Sequence, residues 1–210
     1  MMNAGDAYHW LMQASAASRA ESFDIHVVAS IFALAIDEAE TENRTLCDGI
    51  GLDGTEFADV ADALFPAAAP TLHKWGWHVA LEIGGEEQNL RDLLHMYAVR
   101  GAPLARAYAA MVARRCARPH HLWQDLGLRS RAELSQFMRR NFPALAEKNR
   151  QDMKWKKFLY RLICQSEGFS FCTAPVCSEC DDFLNCFGVE DGEGLLARVR
   201  NGQQLASISL

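Results

Sequence analysis

The run Phe23-Asp-Ile-His-Val-Val-Ala-Ser-Ile-Phe-Ala-Leu-Ala-Ile36 decides the fold class. It is apolar along almost its whole length, and it outlasts the roughly four to eight residues of a buried strand. A helix buried on most of its surface is the element that accepts such a pattern. His26 lies inside it and reads as a core histidine held by one hydrogen-bond partner rather than as a ligand.

Outward from that run the chain continues in helical periods. Asn43 to Gly54 is rich in turn residues, with Cys47 as an incidental thiol. Asp53-Gly54-Thr55-Glu56 has the spacing of an N-cap with a reciprocal glutamate. Phe57, Val60, Ala61 and Leu64 then fall on one face, before Pro66. His73-Lys74-Trp75-Gly76-Trp77-His78 reads as aromatic packing at a helix junction rather than a pocket lining. Leu90, Leu93, Leu94, Tyr97 and Ala98 form a one-sided helix halted at Gly101. Pro103 suits the first turn of the next helix, whose face is Leu104, Tyr108, Met111 and Val112. Cys116 falls on that same face and reads as a small buried hydrophobe. Pro119 to Trp123 is a connecting stretch, and Ser130-Arg131-Ala132-Glu133 is a capping box ahead of Leu134, Phe137 and Met138. Pro143 restarts the chain into a last long helix, predicted over residues 144–165. No strand-like alternation occurs, so the expected fold is all-α. A single helical domain over 1–165 is followed by a cysteine-rich loop over 166–190 and a tail over 191–210.

The last helix divides its faces. Trp155, Phe158, Leu159, Leu162 and Ile163 make an apolar stripe, and Lys154, Lys157 and Arg161 a basic one. Between Arg139 and Arg161 eight Lys or Arg stand against two acids, Glu147 and Asp152. From Leu162 to Ala197 the balance reverses to seven acids and no Lys, Arg or His. Two readings fit this: a solvated face leading into an acidic loop, or a positive wall facing an anionic cluster or a docked oxyanion.

Four thiols follow in Cys172-Thr-Ala-Pro-Val-Cys177-Ser-Glu-Cys180-Asp-Asp-Phe-Leu-Asn-Cys186, a C-x4-C-x2-C-x5-C spacing. Thiolates are soft ligands suited to zinc, copper(I) or iron–sulfur clusters. Structural zinc usually takes two separated knuckles, whereas here one loop closes around something larger than a single ion. The spacing favours an iron–sulfur cluster, cuboidal rather than plant-type because the fourth cysteine follows at once. Zinc and disulfides remain the alternatives. Seven cysteines, four of them crowded together, do not resemble the even, dispersed framework of a secreted protein, so the expected compartment is the reducing cytoplasm. A net charge of −6 gives no global case for nucleic acid, no apolar run approaches the roughly 20 residues of a membrane span, and no signal peptide is read. No phosphate-cradling glycine loop, GxSxG or radical-SAM cysteine spacing is present, which favours a carrier over a turnover enzyme.

Met153-Lys-Trp-Lys-Lys-Phe-Leu-Tyr-Arg161, Cys164, Glu167-Gly168, the four-cysteine loop and Phe187-Gly188-Val189-Glu190 together resemble the NifQ family, which handles molybdenum during nitrogenase cofactor assembly. His121-Leu-Trp-Gln-Asp-Leu-Gly-Leu128 resembles that family's HLWxDLGL stretch. The resemblance implies a protein that assembles a molybdenum–iron–sulfur cluster and donates molybdenum for the iron–molybdenum cofactor. It implies Cys172, Cys177, Cys180 and Cys186 as ligands of an iron–sulfur cluster, [4Fe–4S] or Mo–Fe–S. It also implies two acceptors, the cofactor-assembly scaffold and the nitrogenase iron protein. Cys164 is either a spare ligand or a packing residue. Molybdate is a dianion that an acidic, thiolate-rich loop repels. Lys154, Lys157 and Arg161, with Lys156 beside them and His120 and His121 if the helices fold back, are the expected molybdate or partner contacts. Two other functions use the same thiols: an electron-transfer protein with a permanent [4Fe–4S] centre, and a helical interaction protein with a structural zinc loop.

Overall fold

A computed structural model describes residues 2–42, 44–76 and 81–166, and among these every regular element is a helix. The four loop cysteines and the tail lie outside the described residues. The expected central helix is α2 (Ser22–Thr41), in which Val27 to Ala35 are wholly buried. Contact on all sides explains why its sequence shows no strong polar face. α1 (Ala4–Ala14) lies along it through Ala4, Ala7, Leu11 and Ala14, and Asn3 caps it by accepting from the Asp6 N–H at 2.9 Å.

The stretch read as turns contains a short helix, α3 (Leu46–Ile50), capped by the Thr45 hydroxyl. It packs against α2 so closely that a Cβ on Gly49 would lie 2.9 Å from that of Ala35. α4 (Gly54–Leu64) opens with the expected capping box: Asp53 Oδ1 accepts from Thr55 and Glu56, and Glu56 Oε2 accepts from Asp53. α4 and α5 (Ala69–Gly76) close one end of the core. There Phe32 is wholly buried, stacked on Phe57 at 5.3 Å and tilted against Phe65 at 5.6 Å. Removing such a ring costs about 3–5 kcal/mol.

α6 (Gly85–Tyr97) and α7 (Ala105–Cys116) pair with each other, and α7 also touches α3. The stretch expected to be a plain connection holds a one-turn helix, α8 (Leu122–Asp125). α9 (Arg131–Asn141) follows, and the Asn141 carbonyl accepts from Val99 N–H at 3.0 Å, closing the end of α6 onto α9.

Two expectations need correction. The box at Ser130 is half formed: its hydroxyl accepts from Glu133 N–H, but the Glu133 carboxylate accepts from Arg129 N–H at 2.7 Å. The other carboxylate oxygen lies 3.0 Å from His26 Nε2, a partner that a cap-only reading does not supply. His26 therefore has two partners, since Tyr8 Oη meets its Nδ1 at 2.7 Å. One imidazole ties α1, α2 and α9 together.

The last long helix is two helices, α10 (Pro143–Lys148) and α11 (Trp155–Ser166). The Asn149 side chain explains the break. Its Oδ1 accepts from Met153 N–H at 2.8 Å and its Nδ2 donates to the Met153 carbonyl at 2.9 Å. This local pairing competes with helical hydrogen bonds. Asp152 completes the turn in the left-handed region, at φ 54°.

One hydrophobic cluster runs from Ala7 to Ile163 among the described residues. A buried ion network crosses it. Arg115, 0 % exposed, donates from Nη1 to both Glu38 oxygens at 2.7 and 2.9 Å and from Nη2 to the Ile31 carbonyl at 3.1 Å. A buried guanidinium needs a paired carboxylate of this kind, although the Arg115 Nε itself has no hydrogen-bond partner among the described residues. No helix among the described residues is long and apolar enough to cross a membrane.

Candidate functional site

α11 is the described element that leads into the cysteine-rich segment. Its apolar stripe is seated as its spacing predicts: Trp155, Phe158, Leu159 and Ile163 are buried and Leu162 partly so, with Trp155 edge-on to Phe158 at 5.7 Å. The stripe packs on α6, and Met153 extends it into the preceding turn.

The root of α11 is tied down by charge. Lys156 Nζ lies 2.5 Å from Asp125 Oδ2 and also donates to the Arg118 carbonyl. Asp125, 2 % exposed, takes His120 Nδ1 on its other oxygen at 3.1 Å. The carboxylate thus joins the two stretches that carried the family resemblance, one on α8 and one on α11. Its place is fixed from the other side by Gly127. At φ 70° this glycine lets α8 end against the backbone of α2, and a Cβ there would fall 2.9 Å from the Ser30 carbonyl oxygen. The His121 N–H donates to Gln124 Oε1 at 3.3 Å within the first turn of α8.

Lys156 is therefore committed inward and does not join the basic stripe. Two residues on from Lys154 it points about 200° around the helix axis, which turns it toward α8. Lys157 is exposed, and Lys154 and Arg161 are half-buried. Of these three, Arg161 lines a cleft of about 400 Å³ between the 149–153 turn and α11. The other cations of that cleft are Lys148 and Arg150, over a floor of Met153, Phe158 and Leu162. His120, His121, Lys154 and Lys157 are not among its lining residues. Sequence reasoning missed Lys148 and Arg150 because it drew one helix through them. The polar cluster Asn149-Arg150-Gln151-Asp152 carried the signal for a break.

The described thiols are inert by environment. Burial pushes the Cys116 thiol up to about 12; neighbouring Lys156 lowers it and Asp125 raises it. Burial, with Asp48 and Asp53, pushes Cys47 up to about 11, and its Sγ donates to the Gly76 carbonyl at 3.4 Å. Cys116 matches its expected packing role, while Cys47, read as an incidental thiol in a turn, is buried in α3. Cys164 belongs to α11, but its side chain, like Cys172, Cys177, Cys180 and Cys186, falls outside what is described. Among the described residues no group of three or more His, Cys, Asp or Glu is placed to hold a metal ion.

Among the described residues these features define an all-helical body with a basic cleft beside the helix that precedes a four-cysteine segment. The NifQ family model matches residues 27–188, and the chain belongs to the NifQ family. It is 40% identical over 173 residues to a protein NifQ homolog of Sinorhizobium fredii (strain NBRC 101917 / NGR234), covering 81% of this chain and 74% of the relative. It is 37% identical over 158 residues to protein NifQ of Rhodobacter capsulatus, covering 75% and 86%. Against protein NifQ of Azotobacter vinelandii the identity is 45% over 82 residues, covering 39% and 42%. No solved structure matches the chain.

Proposed function

We propose that this chain builds a molybdenum–iron–sulfur cluster as its cargo and donates molybdenum for the iron–molybdenum cofactor of nitrogenase. Membership of the NifQ family carries the reading, because the match over 27–188 includes Cys172, Cys177, Cys180 and Cys186. Four thiolates within fifteen residues are a soft donor set suited to iron and to molybdenum bridged to iron by sulfide. Ligands on a short loop can be exchanged for those of an acceptor, which suits a donor. The proposed acceptors are the cofactor-assembly scaffold and the nitrogenase iron protein, and the proposed compartment is the cytoplasm, where thiolates stay reduced. Lys154, Lys157 and Arg161 supply positive charge beside the acidic loop, for molybdate or for an acidic partner surface.

The test is iron, molybdenum, sulfide and zinc per chain in anaerobically purified protein, wild type beside single Cys→Ser variants. Iron and sulfide with molybdenum support the reading. Any one of Cys172→Ser, Cys177→Ser, Cys180→Ser or Cys186→Ser is expected to lose most bound iron, while Cys47→Ser and Cys116→Ser keep it. Iron without molybdenum, cycling reversibly, would make the protein an electron carrier instead, and a colourless zinc protein would make the loop structural.

A further inference from the structure

We infer that the cleft formed by the 149–153 turn and α11 is a docking site for a tetrahedral oxyanion dianion, held by Lys148, Arg150 and Arg161. This deepens the proposed function and rests on it for the identity of the anion. Among the described residues the cleft lining carries three cations and no carboxylate. That is not a passive result of composition, because the turn contains an acid. Asp152 is turned out of the cleft, 77 % exposed, with its carboxylate 3.3 Å from Arg131 Nη2 and its carbonyl accepting from the same guanidinium. Its left-handed backbone, φ 54°, is one that Asp adopts more readily than most residues with a Cβ. The turn holds this conformation with its one acid directed away from three cations.

The remaining groups fit the same purpose. The Asn149 amide is spent on the Met153 backbone, so the turn is fixed before any ligand arrives. Lys148 Nζ rests 5.7 Å from the centre of the Tyr97 ring, which positions an ammonium without neutralising it. Arg150 and Arg161 bring planar forks that match two oxyanion edges. A cleft of about 400 Å³ holds a small tetrahedral ion together with several waters, each occupying about 30 Å³. Docking is then partly hydrated, weak and reversible. That is what a delivery site upstream of thiolate ligands requires, and it makes affinity sensitive to salt.

Molybdate, sulfate and phosphate share this chemistry, so each is used as a probe. Full-length protein is dialysed to equilibrium against each anion at low and high salt. Wild type is compared with Lys148→Gln/Arg150→Gln and with the charge-matched Arg139→Gln/Lys74→Gln, whose residues are exposed and lie outside the cleft. Saturable binding of one dianion per chain is expected, at least tenfold weaker in the cleft variant, within twofold of wild type in the matched variant, and weakened by salt. Equal loss in both variants, or no saturable binding of any probe, overturns the site. Molybdate binding untouched by the cleft variant overturns the site but leaves the molybdenum function standing. Cleft-dependent binding of sulfate or phosphate without molybdate keeps the anion site but overturns its role in molybdenum delivery, leaving the molybdenum function to the metal analysis.

Discussion

Glu133 accepts from the Arg129 N–H and faces His26 Nε2 at 3.0 Å. Burial alone would raise its carboxyl pKa, but the His26 contact and the Arg129 N–H outweigh it and hold the group below its ordinary 4.5. A depressed folded pKa contributes stability that is complete above the unfolded value and is lost as pH falls through the folded one. Urea unfolding followed from pH 7 downward is expected to show falling stability below about pH 4.5, with a flatter profile in Glu133→Gln. Asp152 makes a second prediction. A β-branched side chain at its positive φ adds about 1–2 kcal/mol of strain, so Asp152→Val should lower the urea midpoint while Asp152→Asn stays near wild type. The thiols separate just as clearly: Cys47 and Cys116, both raised by burial, are expected to resist alkylation at pH 8 in the native protein and to react once it is unfolded. At this scale the sequence was legible where a residue's role is set by its own helix. His26 read correctly as a core residue, yet its partners Tyr8 and Glu133 lie far along the chain, and no local pattern reports them.

Among elements, α11 carries most of the consequence. Lys156 neutralises a carboxylate that is almost fully buried, and removing one partner of such a pair costs about 3 kcal/mol. Lys156→Met should therefore destabilise the protein far more than Lys157→Met, and Asp125→Asn/Lys156→Met should recover part of the loss in a double-mutant cycle. The exposed side of the helix behaves differently. Lys154→Glu/Lys157→Glu is expected to leave iron content near normal and to lower the molybdenum-to-iron ratio or the rate of transfer, an effect that shrinks as salt rises. An unchanged ratio and rate would make that stripe a solvated face. The apolar stripe of α11 was readable from periodicity, the capping box of α4 from its residue spacing, and the buried nature of α2 from the length of its apolar run. The division between α10 and α11 was not, because good helix formers on both sides outweighed one asparagine whose bonds to Met153 exist only when the turn is made.

For the molecule as a whole, a continuous core reaches from α1 to α11 among the described residues. Metal removal is therefore expected to leave the helical circular dichroism signal nearly intact, unlike a small zinc-dependent domain, which unfolds without its ion. Collapse of that signal on chelation would mean that the loop organises the body. The all-helical class was legible because the apolar segments either repeat with a period near 3.6 or, as in α2, outlast a buried strand. The Arg115–Glu38 network was not, since its members are 77 residues apart and each alone looks like a surface charge. The cleft escaped notice for a related reason: it exists only where two helices fail to be one.

The bond between Lys156 and Asp125 fastens the first turn of α11, and the chain leaves the other end at Ser166, ten residues on. At about 1.5 Å per residue that is a separation of roughly 15 Å. The helix is also glued along that span, since Trp155, Phe158, Leu159 and Ile163 are all buried. It is a strut rather than a hinge, and whatever happens beyond Ser166 starts from a fixed platform.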